Sequence, residues 1–184
     1  LLRDSNLLIH VWNGLYKREK LIKHKIQFDR RMKFGGEDTA FNYDLVPHVD
    51  VILLNPNIYY IHYKRYNHST SAKFDNNQLE SLRVNAYKEY DLFKKLNIEK
   101  IDPNYWAYLT AKYITSFVTL IAKKECLMTD KEKIDFIMNV CKEPIFNNVI
   151  KNKKSKIVAK HSIRNAFVLW LCEKNKYKIL RHLP

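Results

Sequence analysis

The chain is predicted to be an α/β protein, with strand-forming segments in residues 1–76 and a basic, mostly α-helical region over residues 77–184. Three observations predict it. Short runs of β-branched and aromatic residues come first, apolar residues then take up helical spacing from Asn77 onward, and a glycine pair against two carboxylates stands between strand-like pieces. With 184 residues and 46% apolar side chains, the chain is long and apolar enough to bury a core.

Residues 7–18, around Gly14, predict a short strand with a bend, residues 19–25 a short helix, and Ile26-Gln27-Phe28 another strand. A basic link, residues 29–33, leads to Phe34-Gly35-Gly36-Glu37-Asp38-Thr39-Ala40-Phe41. The glycines allow a sharp turn, and Ala40, Phe41 and Leu45 then recur at helical spacing until Pro47 ends or kinks the helix. Glu37 and Asp38 therefore fall in a first helical turn, where carboxylates complement unpaired N–H groups. The same placement suits a general base that takes a proton from a substrate hydroxyl. Trp12 is either core or a platform for a sugar ring.

Val51-Ile52-Leu53-Leu54 and residues 58–63 predict two more strands across the turn Asn55-Pro56-Asn57. They deliver the loop His62-Tyr63-Lys64-Arg65-Tyr66-Asn67-His68-Ser69, whose cations, imidazoles and hydroxyls suit pyrophosphate oxygens or plain solvation. Beyond residue 77 one apolar stripe runs through Leu79, Leu82, Ala86, Tyr90 and Phe93, and the next through Trp106, Leu109, Tyr113, Phe117 and Leu120. Lys112, Thr110, Thr115 and Ser116 interrupt the second and argue against a membrane span. A third helix over residues 130–141 is capped by Thr129 or Asp130 and followed by Pro144. Basic residues 151–156 lead into a last helix over residues 157–173, apolar nearly all round at Phe167-Val168-Leu169-Trp170-Leu171 and followed by more cations.

The formal charge of +14 is uneven: residues 1–76 hold 12 Lys and Arg against 8 Asp and Glu, a balance of +4, and residues 77–184 hold 21 against 11, or +10. Such a field attracts phosphorylated substrates, anionic lipid or nucleic acid. Cys126, Cys141 and Cys172 are too widely spaced for a zinc site or a disulfide framework and predict reduced thiols in a cytoplasmic setting. The first residues carry no leader pattern, and Leu1 opening straight into patterned sequence suggests a piece of a longer chain.

Val11-Trp12-Asn13-Gly14-Leu15-Tyr16-Lys17-Arg18-Glu19 resembles the W-N-K-L-Y-K-R-E segment of bacterial family 2 glycosyltransferases, the GT-A enzymes of capsule, exopolysaccharide and lipopolysaccharide synthesis. Gly36-Glu37-Asp38-Thr39-Ala40-Phe41 resembles their G-E-D-x-x-F motif, and Tyr59-Tyr60 through Asn67-His68-Ser69-Thr70-Ser71 their Y-Y-Y-R…N-S-x-S. The resemblance covers residues 7–75. It implies the acceptor-side half of a GT-A fold and inverting transfer of a sugar from a nucleotide-sugar donor, a UDP-sugar first among them, to a saccharide or lipid-linked acceptor.

On that resemblance Asp38 is the base and Glu37 supports it; Trp12, Asn13 and Tyr16 line the acceptor or sugar pocket; His62, Lys64, Arg65 and Ser69 lie near the donor pyrophosphate. It also implies Mn²⁺ or Mg²⁺, but the D-x-D that would hold the ion is absent, with His62 the one residue here that could join it. Gly14 departs from the motif, where lysine is usual, and the donor-side half is missing, so the chain is expected to be inactive alone. The basic, aromatic last helix suits either peripheral docking on the inner face of the plasma membrane or packing on the bundle with a solvated polar face. The competing expectation is a non-enzymatic basic helical module that binds anionic lipid or, with no recognised nucleic-acid motif, less readily nucleic acid.

Overall fold

In the computed structural model the described residues are 8–33, 35–55, 57, 60–61, 63, 74–180 and 183. They form helices α1 (Arg18–Lys23), α2 (Glu37–Leu45), α3 (Asn76–Lys95), α4 (Tyr105–Ile121), α5 (Asp130–Lys142), α6 (Pro144–Lys151), α7 (Ser155–Val158), α8 (Ile163–Glu173) and α9 (Tyr177–Leu180). Of the described residues 62% are helical, and none of them lies in a strand or sheet. This overturns the predicted α/β class and, with it, the GT-A half-fold.

The physical reason is that strand propensity is a preference for a paired, half-covered surface, not for a backbone shape alone. Val51, Ile52, Leu53 and Leu54 are extended in composition only; they are 69, 58, 89 and 63% exposed and pair with no described segment. Tyr60, Ile61 and Tyr63 are likewise outside any strand. Residues 8–17 and 26–29 form turns and irregular backbone packed on α2.

The helical half follows its stripes. Leu79, Ala86 and Phe93 of α3 and Trp106, Leu109, Tyr113 and Phe117 of α4 are buried in one core, with Leu82, Tyr90 and Leu120 packed at its margin. Helix α4 is the hub and packs on α3, α5, α6, α7 and α8. Its polar residues are accommodated locally: Thr115 and Ser116 donate to the carbonyls of Ala111 and Lys112 at 2.8 and 2.9 Å. The indole N–H of Trp106 donates to the Ile145 carbonyl at 2.5 Å, which ties α4 to α6.

Two capping boxes fix helix starts, Asp75 with Gln78 for α3 and Thr129 with Glu132 for α5. Pro144 opens α6 instead of merely ending what precedes it, since a first-turn proline loses no helical bond. The single last helix predicted over residues 157–173 is broken at Ala159–Ser162 into α7 and α8, with the Ser162 side chain accepting from the Asn165 N–H. Cys126, Cys141 and Cys172 are all buried and free. The thiols of Cys141 on α5 and Cys172 on α8 are in hydrogen-bond contact, which together with burial holds the Cys172 thiol well above its ordinary pKa. Among the described residues no helix is long and apolar enough to cross a membrane.

Candidate active site

Gly35 and Gly36 hold φ values of +87° and +84°, the left-handed region that glycine alone adopts without strain, and Gly36 is the N-cap of α2. A side chain at Gly36 would also meet the Asn85 amide of α3, whose Nδ2 donates to the Gly36 carbonyl at 3.2 Å. The turn therefore aims the first turn of α2, with Glu37 and Asp38, while Asn85 fixes it against the bundle.

Three side chains of α2, at spacings that share one face, bind the loop of residues 8–16. One Asp38 oxygen accepts from the Val11 N–H at 3.3 Å. The Thr39 hydroxyl donates to the Ile9 carbonyl at 3.3 Å, and the buried Asn42 amide donates to the Leu8 and His10 carbonyls at 3.1 and 3.2 Å. Asn42 Oδ1 in turn accepts from the Tyr16 hydroxyl at 3.3 Å. Burial and the nearby Asp38 charge push the Tyr16 phenol above its ordinary pKa. Phe41 packs edge-on to Tyr16 and stacks on Phe28 at 4.8 Å.

Residues 12 and 13 lie in the tight turn closed by the Gly14 N–H donating to the Val11 carbonyl at 3.1 Å. A side chain at residue 14 would come within 2.6 Å of the Tyr16 hydroxyl, so the Tyr16 ring would have to turn aside to admit one. Trp12 is 40% exposed and contacts the rings of His10 and Tyr60 at centroid distances of 4.8 and 4.4 Å. Asn13 is exposed beside it.

Thus Asp38, Tyr16 and the Trp12 turn, distant in sequence, are brought together. Glu37 is half-buried, and its Oε2 has no hydrogen-bond partner among the described residues. His62, Lys64, Arg65 and Ser69 lie outside the described residues. Among those described, no group of three or more His, Cys, Asp or Glu could hold a metal ion, so the described residues offer no ligand set for the implied divalent ion.

Two further attachments were not visible in the sequence. Glu89 of α3 is buried and accepts from the Tyr113 and Tyr105 hydroxyls of α4 at 2.6 and 3.4 Å, and Tyr43 of α2 is in hydrogen-bond contact with the same carboxylate. Burial first, and then the Glu89 charge, raise the Tyr43 and Tyr113 phenols well above their ordinary range. A carboxylate interrupting the apolar stripe between Ala86 and Phe93 was the available signal.

The second attachment is ionic. Lys88 bridges Asp44 of α2 and Asp29 of the preceding link, the latter at 3.8 Å. Arg31 also chelates Asp29, with Nη2 at 2.6 Å and Nε at 3.0 Å from its two oxygens. The Arg31 hydrogen bonds, aided by Lys88, hold the Asp29 carboxyl down at about 2 against an ordinary 3.8. Because the folded value is the lower one, this contribution to stability is present above pH 4 and is lost as pH falls toward 2. Thermal midpoints of the parent should fall more steeply over that window than those of Asp29→Asn; parallel curves would remove Asp29 from the acid transition.

Compared with protein-family models, curated proteins and solved structures, the chain matches none.

Proposed function

We propose that the chain forms the acceptor side of a sugar-transferring enzyme that moves a glycosyl group from a nucleotide-sugar donor, a UDP-sugar first among them, to a saccharide or lipid-linked acceptor with inversion. The supporting observation is the assembly of Asp38, Tyr16 and the exposed Trp12 turn at the start of α2 by Asp38, Thr39 and Asn42. Among the described residues the Val11 N–H takes one acceptor position of the Asp38 carboxylate, and a substrate hydroxyl would take another.

In this reading the acceptor hydroxyl gives its proton to Asp38 as its oxygen forms a bond to the anomeric carbon. The bond from that carbon to the donor's phosphate oxygen breaks, and the nucleoside diphosphate leaves with the electron pair. Tyr16, kept as a neutral phenol, offers a hydrogen-bonding group beside the reacting oxygen, and the partly exposed aromatic group of Trp12, His10 and Tyr60 offers an apolar surface to the C–H side of a sugar.

The acceptor half of this reading is testable on the chain itself. Saturation-transfer NMR with a panel of mono- and disaccharides should show sugar C–H contacts that disappear in Trp12→Ala and persist in Asp38→Asn. Absence of saccharide contact, or contact indifferent to Trp12→Ala, overturns the assignment of this loop.

A further inference from the structure

We propose that the outer face of α8 docks this chain on the surface of an anionic lipid bilayer. The inference is independent of sugar transfer and rests on which side of α8 the fold uses. Ala166, Val168, Leu169, Leu171 and Cys172 are buried against the bundle. That inner face is sufficient to hold the helix, yet the outer one is also apolar: Ile163, Phe167 and Trp170 are 81, 44 and 43% exposed. At 3.6 residues per turn these three side chains and Lys174 fall within an arc of about 60°. The Phe167 and Trp170 rings stack at 6.0 Å between centroids and form one flat patch.

Charge chooses the partner. Lys160 and Arg164 stand at the N-terminal end of the stripe, with Arg164 Nη2 donating to Thr119 Oγ1 at 3.1 Å, and Lys174 and Lys178 stand at the other end. Residues 144–184 contain ten Lys and Arg against a single carboxylate, Glu173. That carboxylate is engaged within the fold, accepting from the Ser155 N–H at 2.8 Å and the Ser155 hydroxyl at 2.6 Å. An apolar aromatic strip with cations at both ends and its only acid tied to the fold matches an interface where acyl chains lie beneath phosphate headgroups. The short, single-helix strip places the chain in the interfacial plane, consistent with the lack of a spanning helix among the described residues.

The test is sedimentation with large vesicles of phosphatidylcholine alone or with phosphatidylglycerol added, run beside a duplex DNA of mixed sequence. The chain should partition onto the phosphatidylglycerol vesicles, less so as salt is raised, and lipids brominated in the acyl chain should quench its tryptophan emission. Trp170→Phe should remove most of that quenching, since Trp106 is buried in the core and Trp12 lies on the α2 side. Lys174→Gln and Lys178→Gln should each lower partitioning about fivefold, and Phe167→Ser/Trp170→Ser should reduce it further without altering the far-ultraviolet spectrum. Equal binding to both vesicle types, absence of vesicle binding, quenching that survives Trp170→Phe, or tighter binding to DNA than to the charged vesicles overturns the proposal.

Discussion

Asp38→Asn should lower sugar transfer by about 10²- to 10⁴-fold, the range over which a positioned general base acts, with little change in the KM for the acceptor. The substitution isolates charge from structure. Asparagine keeps an oxygen that can accept from the Val11 N–H, so the loop of residues 8–16 retains its attachment to α2 through Thr39 and Asn42 as well. What is lost is the ability to take a proton. Release of nucleoside diphosphate from UDP-sugars, measured in membranes of cells making the natural polypeptide, separates the outcomes. Turnover within a fewfold of the parent would remove Asp38 from the mechanism while leaving the saccharide-binding test of Trp12 standing on its own.

Glu89→Ala should cost about 3–5 kcal/mol of stability, from hydrogen bonds to a charged group and the buried hydroxyls left behind. Against a typical total of roughly 5–15 kcal/mol, that is a severe loss. The carboxylate collects Tyr113 and Tyr105 of α4 and Tyr43 of α2, so one truncation leaves phenols from two helices without their acceptor. Glu89→Gln, which keeps an oxygen of the same reach, should cost less than half as much. Denaturant titration of the three proteins checks the order, and a Glu89→Ala protein within about 1 kcal/mol of the parent would show the cluster to be incidental. Because Tyr43 joins the cluster, hydrogen exchange should also quicken in α2 more than in α5.

The legible parts of the fold were those governed by local rules. Thr129, one of two cap candidates, marked the start of α5, and the stripes of α3 and α4 announced their buried faces, because caps and periodicity need no knowledge of distant partners. Pro144 was ambiguous in sequence because a proline after a helix and a proline opening the next have the same local signature. The break between α7 and α8 carries neither glycine nor proline, so its apolar pattern runs on through a backbone that does not.

The segment of residues 51–54 failed for the opposite reason: the β-branched Val51 and Ile52 and the apolar leucines after them promise a strand only where another strand offers hydrogen bonds, and no described segment does. At the candidate site, Gly35-Gly36-Glu37-Asp38 fixed the helix start, but the groups that meet the Asp38 carboxylate and the Asn42 amide N–H groups are backbone atoms of Val11, Leu8 and His10. Every residue type carries such atoms, so no residue pattern marks them. Asn85 and Glu89 were hidden differently, as polar residues buried within a face that otherwise reads as apolar.

The three buried thiols have a practical meaning beyond packing. All lie between residues 126 and 172, and α1 and α2 carry none. A reagent that attacks only exposed thiols is therefore a clock for one part of the molecule: it ticks when α4, α5 or α8 separates from the core and is silent when the loop of residues 8–16 merely lifts from α2. Cys141 and Cys172 face each other across α5 and α8, so a common rate for both and a different one for Cys126 would mark the seam along which the bundle first comes apart.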